Sequence, residues 1–167
     1  MASLAVRDAR IEDLAGYHSC LASVAEERKF IGLVEAPPFE NSEKWMRSVL
    51  QVGYPFLVVT DAEGVVGWCD VGAREREGFR HTAELGMGLA AHVRGLGLGS
   101  RLLEAALQRS RELPIEKLEL QVYGSNIPAR RLYEKFGFAV EGVRLRARKL
   151  DGIFVVVVLM ALQLSAG

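Results

Sequence analysis

The segment Arg94-Gly95-Leu96-Gly97-Leu98-Gly99-Ser100 sets glycine at alternate positions just ahead of a helical run. Glycine admits positive φ and has no Cβ, so such a segment bends tightly and can gather several backbone N–H groups at one point. Those groups would open a helix, whose N-terminus favours an anion. A phosphate or pyrophosphate is the guest this chemistry suggests; a purely structural turn is the alternative. Spacing removes two phosphate-binding classes. A Walker loop requires Lys followed by Ser or Thr after its last glycine, and here Ser100-Arg101 follows. A dinucleotide fold requires GxGxxG after an early strand, which Gly95-x-Gly97-x-Gly99 does not supply. The pattern that remains is Arg/Gln-x-x-Gly-x-Gly/Ala, carried by Arg94, Gly97 and Gly99.

A second cluster lies downstream. Asn126, Arg130 and Tyr133 are spaced four and three apart, which puts them on one face of a helix. Asn126 and Tyr133 would be separated by about 10 Å of helical rise, suiting one contact along an extended ligand and another near its reactive end. The ordinary readings are an N-cap for Asn126 and a core aromatic for Tyr133. Upstream, a strand over Ala83–Ala90 would show Leu85, Met87 and Leu89 on one face and Glu84, Gly86, Gly88 and Ala90 on the other. The second face is nearly bare backbone, leaving room for a ligand or for a closely packed helix. Glu84 is its one ionisable group. His81, three residues earlier, reads also as a solvent-facing strand end. Cys20 and Cys69 have neither CxxC nor metal-ligand spacing, so buried free thiols and no metal are expected.

These residues need a scaffold. Leu4–Arg7 reads as a first strand and Glu12–Arg28 as an amphipathic helix carrying Leu14, Tyr17, Leu21 and Val24. Pro37-Pro38 excludes helix, and Ser42 could cap a second helix through Trp45, Met46 and Val49. Phe56–Val59 and Val65–Val71 form a hairpin around Asp61–Gly64, followed by a charged loop Arg74–Gly78 and the strand Thr82–Ala90. Leu98, Leu102, Leu103, Ala106 and Leu107 make one face of a helix that must pack on a sheet. Leu118–Val122 is a strand, and Asn126–Phe136 a helix with Pro128 in its first turn and Gly137 at its left-handed end. Phe138–Arg148 and Ile153–Gln163 are long strands joined at Asp151-Gly152. Ile153–Leu162 is too short for a membrane helix and reads as a strand buried on both faces. The expected fold is α/β: a mixed, mostly antiparallel central sheet with helices on both faces, in a single domain over residues 1–167.

Composition agrees with a globular chain. Of 167 residues, 50% are hydrophobic and 25% charged, and Lys plus Arg balances Asp plus Glu at 21 each. Zero net charge argues against general binding to nucleic acid or anionic membrane. The start, MASLAVRDAR, lacks the apolar core of a signal peptide, so the expected location is the cytoplasm.

The stretch ELGMGLAAHVRGLGLGSRLLEAAL, followed by LELQVYGSNIPARRLYEKFGFAVEG, closely resembles the GNAT superfamily of acyl-CoA-dependent N-acetyltransferases. The EL…RGLGLGS part resembles the phosphinothricin-type enzymes. The tail DGIFVVVVLMAL resembles a related DG-x-x-x-D-x-x-x-M pattern. Two positions depart from these patterns: Ala91 stands where proline is usual, and Val156 near the tail aspartate. The resemblance implies acetyl-CoA as co-substrate. Backbone of Leu89, Ala90 and Ala91 would pair with the pantetheine arm, and the N–H groups of Arg94, Gly95, Leu96, Gly97, Leu98, Gly99 and Ser100 would hold the pyrophosphate. Asn126, with Arg130 on its face, would contact the pantetheine, and Tyr133 would protonate the departing thiolate.

An alkyl ammonium titrates near pH 10.4, so it must lose a proton before it attacks a thioester. Glu84, directly or through water, is the candidate base. A backbone N–H near Leu89 or Ala90 would steady the oxyanion. No covalent enzyme intermediate is needed. The resemblance places the acceptor among Phe30–Phe39, Trp45, the Arg74–Gly78 loop and the strand near Arg144. Tyr17, Phe39 and Trp45 could wall it or belong to the core. Arg144, Arg146 and Arg148 alternate, giving a solvated face, a contact for an acidic substrate, or a dimer edge. The phosphinothricin resemblance favours a small amino-acid-like amine; a polyamine, an antibiotic or a protein N-terminus stays open. A non-catalytic acyl-CoA sensor is the alternative from another class. The long terminal strands could pair two copies into a homodimer.

Overall fold

Residues 3–164 are described by a computed structural model. Period-two alternation in the central strands is what builds the layers. In β2 (Phe56–Thr60), Phe56 and Val58 face one side and Leu57 and Val59 the other, and all four are buried. Both faces must therefore be covered by helices. On one side lie α1 (Leu14–Glu26) and α2 (Phe39–Gln51), whose Tyr17, Leu21, Val24, Met46 and Val49 pack on Phe56, Val58 and Trp68. On the other lies α3 (Leu98–Ser110), with Leu102, Leu103 and Ala106 at zero exposure against Leu57, Cys69, Val71 and Leu118. Burying a leucine side chain contributes about 1.5–3 kcal/mol, so this seam anchors the fold.

The remaining elements are β1 (Ala5–Asp8), β3 (Val65–Ala73), β4 (Thr82–Leu89), β5 (Lys117–Tyr123), α4 (Ile127–Lys135), β6 (Ala139–Leu150) and β7 (Ile153–Gln163). The sheet order is β1-β2-β3-β4-β5-β7-β6. Every pairing is antiparallel except β4 with β5, which α3 joins as a parallel crossover. That parallel pairing covers only Thr82–Glu84 against Lys117–Glu119. Beyond it the strands part, and Leu85–Leu89 faces Leu120–Tyr123 across an open wedge in mid-sheet. No helix among the described residues is long and apolar enough to cross a membrane.

Four local expectations need correction. Helix α2 starts at Phe39 behind Pro38, so Ser42 is not its cap; it lies inside the helix, buried, with its Oγ 2.9 Å from His18 Nδ1. Helix α1 stops at Glu26, because Arg28 takes a left-handed φ of 60°. The outer end of β7 is not buried on both faces: Ile153 and Phe154 are 69% and 43% exposed. Its neighbour β5 ends at Tyr123, opposite Val157, and its last tie is Gly124 N–H to Val156 O at 2.9 Å, so residues 153–155 have only β6 beside them. Finally, Arg144–Arg148 does not alternate. Arg144 pairs with Val157 and Arg148 with Val155, so four steps on β6 meet two on β7, and Arg146 bulges out at φ 53°. Cys20 and Cys69 are free and buried, as their apolar settings required.

Candidate active site

The wedge is lined by backbone. In an antiparallel ladder, successive residues direct their N–H and C=O groups to opposite edges. The Ala90 N–H reaches Val66 O at 2.9 Å, toward β3, so the polar groups of Leu89, Met87 and Leu85 face the other way, into the wedge. The Leu89 carbonyl is already held there by the Arg94 guanidinium, at 3.0 and 2.8 Å. Ala90 N–H is therefore spent and cannot serve as the oxyanion donor; the Leu89 N–H still points inward. Of Leu89–Ala91, the Leu89 and Ala91 carbonyls are also engaged, the latter by Arg94 N–H at 3.4 Å. A ligand arm adding itself like a strand would find its partners on the Leu85 carbonyl, Met87 and the Leu89 N–H, the Leu85 N–H being used in the pairing of Glu84 with Glu119.

At the wide end of the wedge, the glycine segment bends into α3. Gly95 and Gly97 hold φ of 76° and 78°, and Gly97 is the N-cap residue. Arg101 N–H makes the first bond of the helix, back to Gly97 O. The N–H groups of Leu98, Gly99 and Ser100 precede it and belong to the unpaired first turn. Leu98 drives its side chain into the core and fixes the turn, whereas Leu96 is 59% exposed. The Arg94 side chain points away from this anion site: it also grips Glu27 at 2.8 Å and lies over the Phe30 ring at 4.6 Å.

Helix α4 borders the same wedge. Asn126 is its N-cap, accepting from Ala129 N–H at 3.3 Å through its carbonyl oxygen, which leaves the amide NH2 to donate elsewhere. Arg130 folds back to Gly124 O at 3.3 Å and lines an open cavity of about 570 Å³ with Val143 and Phe154. Tyr133 is buried, its ring 5.8 Å from Phe138. Burial holds its phenol protonated far above the ordinary range, with Cys69 adding to the effect. The proton is therefore held more tightly than on an exposed tyrosine, which makes the buried phenol a weaker acid until a developing negative charge lies beside it. Tyr133 belongs to the core and is also a candidate acid.

On the α1–α2 face, Glu84 is 46% exposed and lies 3.4 Å from Arg74, whose guanidinium also pairs with Glu119 at 2.9 Å. Gln121 Nε2 lies 3.5 Å from Glu84. The bare face of β4 is only partly empty. A Cβ on Gly88 would sit 2.3 Å from the Trp68 indole, which fills that space. At Gly86 a Cβ would be 3.7 Å from Asp70 Oδ1, an ordinary contact, so room remains there. Tyr17 is core, while Phe39 and Trp45 are 42% and 40% exposed, and Trp45 covers Gly72. His81 is exposed at the strand start, and its carbonyl ties down Glu116 and Lys117.

Asp70 was not among the residues picked from sequence. It is 6% exposed on β3, opposite Gly86 and on the same sheet face as Glu84. Burial pushes its carboxyl up to about 7; the neighbouring Trp45 and Trp68 side chains oppose the rise and the Glu84 charge adds to it. The available signal was an aspartate inside the otherwise apolar strand VVGWCDVGA. Only cross-strand register reveals that it faces a glycine at the wedge. No group of three or more His, Cys, Asp or Glu that could hold a metal occurs among the described residues.

Comparison with known proteins identifies the family and the fold. Residues 8–138 match the Acetyltransferase (GNAT) family. The L-methionine sulfoximine/L-methionine sulfone acetyltransferase of Pseudomonas paraeruginosa is 30% identical over 142 residues, 84% of this chain and 83% of that protein. The L-amino acid N-acetyltransferase of Escherichia coli is 23% identical over 157 residues, 93% of this chain and 94% of that one. A phosphinothricin N-acetyltransferase structure superposes with a TM-score of 0.87 at 28% identity, over 98% of this chain and 99% of that chain. An acetyltransferase of Salmonella typhimurium, solved with acetyl-CoA, has a TM-score of 0.90 at 24% identity, over 98% and 95%, a likeness of fold. The chain is an enzyme of the GNAT acetyltransferase family.

Proposed function

We propose that this enzyme moves the acetyl group of acetyl-CoA onto the primary amine of a small amino-acid-like molecule. The wedge between β4 and β5 carries the reading: it offers an unpaired strand edge that ends at the glycine turn and its free helix N-terminus. A pantetheine arm would pair with the Leu85 carbonyl, Met87 and the Leu89 N–H, its diphosphate on the amides of residues 95–100. Asn126 would donate to the arm. The names of the relatives support an amino-acid-like acceptor.

The chemistry follows from the two faces. The amine loses its proton to the Glu84–Asp70 pair, Glu84 at the wedge surface and Asp70 behind it. The amine nitrogen then attacks the thioester carbonyl, and the oxyanion meets the Leu89 N–H. The C–S bond breaks, and the sulfur takes the Tyr133 phenolic proton, which solvent later restores. Thiol release from acetyl-CoA, followed across a panel of L-amino acids, polyamines and peptides, tests the reading. Turnover is expected with amino acids. Absence of acetyl-CoA binding by calorimetry would overturn the assignment to this site, and binding without turnover of any amine would make the chain a sensor.

A further inference from the structure

The bulge in β6 turns one arginine inward. Arg146, at its crest, lays its guanidinium over the exposed Phe154 ring at 3.9 Å. Past the two extra residues, Arg148 takes the opposite course. Its guanidinium lies over the Tyr123 ring at 5.2 Å, and Nη1 donates to Arg28 O at 3.3 Å. Its Nη2 is sealed from solvent and has no acceptor among the described residues. A buried charged donor without a partner costs free energy, and bulges with left-handed non-glycine residues recur where a side chain must be aimed.

Arg148 also lines a cavity of about 330 Å³, shared with Arg28, Lys29, Phe30, Ser125, Asn126 and Val155. Three cations and no carboxylate line it. The nearby acids are already occupied: Glu27 pairs with Arg94, and Asp151 with Arg28 at 3.1 Å. Arg148, in its wall, lies over Tyr123, the last residue of β5 at the open end of the wedge. Two residues back, Gln121 reaches Glu84. The residue that touches the proton-accepting pair and the residue under Arg148 are thus about 7 Å apart along the strand, the rise of two residues. A small molecule with an amine at one end and an anion at the other bridges that span once hydrogen-bond lengths are included.

We propose that Arg148, with Lys29 beside it, binds the carboxylate of the amino-acid acceptor and so selects amines that carry one. This rests on the acetyltransferase reading and names the substrate group that the cavity recognises. The shared chemistry is an anion, and a phosphate of acetyl-CoA is the other source, which the test separates.

The best L-amino acid from the acceptor panel is compared with its primary amide and its decarboxylated amine, in the wild-type enzyme and in Arg148→Gln. Removing a charged hydrogen bond is expected to raise KM for the amino acid roughly 10- to 100-fold, with kcat changed far less. The amide and the amine should be poor acceptors of the wild type by a similar factor and indifferent to the substitution. The acetyl-CoA Kd should not move. Rescue by Arg148→Lys in part would fit a carboxylate contact. Equal kcat/KM for acid and amide in the wild type overturns the proposal even if the variant does not fold. A weakened acetyl-CoA Kd in Arg148→Gln also overturns it, assigning the anion to the cofactor. Failure of the wild type to bind acetyl-CoA would sink the underlying reading instead.

Discussion

At the scale of single residues, burial sets the chemistry. Asp70 is forced toward the neutral form by desolvation, to about 7 against 3.8 for an ordinary aspartate. Its proton is released near neutral pH, so kcat/KM should climb as pH rises through about 7 and then level off. Asp70→Asn should abolish that limb and lower kcat roughly 100-fold or more, whereas Glu84→Gln should shift it downward, because the Glu84 charge helps hold Asp70 protonated. A limb that survives unchanged in Asp70→Asn would remove Asp70 from the reaction. The same shift acts on stability. Between about pH 4 and pH 7 the folded chain keeps a proton that the unfolded chain has released, so stability falls as pH rises across that window. Asp70→Asn should therefore melt higher than the wild type at pH 8, by the equivalent of at most about 4 kcal/mol, and should lose that advantage near pH 4. Tyr133 is the complementary case. Tyr133→Phe should leave acetyl-CoA affinity and the melting temperature nearly unchanged while reducing kcat roughly 100-fold. Full activity in that variant would make Tyr133 a core residue only.

At the scale of elements, the glycine turn would hold the proposed diphosphate through its backbone, so its test is a side chain that the backbone cannot hold. Gly97 sits at φ 78° with open space around its missing Cβ. Gly97→Ala therefore clashes with nothing and strains only the dihedral, by about 1–2 kcal/mol. The expected result is a small fall in melting temperature and a several-fold rise in the acetyl-CoA Kd. An unchanged Kd would show that the amides here do not hold the diphosphate. This turn was legible in the sequence, because left-handed φ and a missing Cβ leave a glycine trace that any reader can count. So was the N-cap at Asn126, with Pro128 after it. The β6 bulge was not. Nothing in VRLRARKL marks Arg146 for positive φ, and period two predicted three arginines on one face. The start of α2 was missed for a related reason: Ser42 is a good cap by type, but Pro38 had already opened the helix one turn earlier.

At the scale of the whole molecule, sequence patterns gave the layers because each strand and helix states which face it buries. The wedge, the Asp70–Gly86 apposition and the cavity under Arg148 depend on which strands pair and where pairing stops, and no local pattern encodes that. Arg94 is the clearest instance. Its position in the glycine motif suggested a ligand contact, yet its guanidinium ties three regions together: Leu89 O at the end of β4, Glu27 at the end of α1, and the Phe30 ring beyond it. Those regions belong to opposite sides of the proposed reaction. On that proposal Leu89 lies on the cofactor edge, and Phe30 lines the cavity assigned to the acceptor. The charge pair is partly buried, and the Arg94 guanidinium holds the Glu27 carboxyl below its usual range, as expected of a bidentate contact. Arg94→Ala should therefore weaken both substrates together, raising the acetyl-CoA Kd and the acceptor KM roughly 10-fold each. Glu27→Gln, which keeps the Leu89 contact but releases α1, should raise the acceptor KM and leave acetyl-CoA binding near the wild-type value. If Glu27→Gln disturbs cofactor binding as strongly as Arg94→Ala does, the bracket is a single rigid support of the β4 end and does not join the two substrate sites.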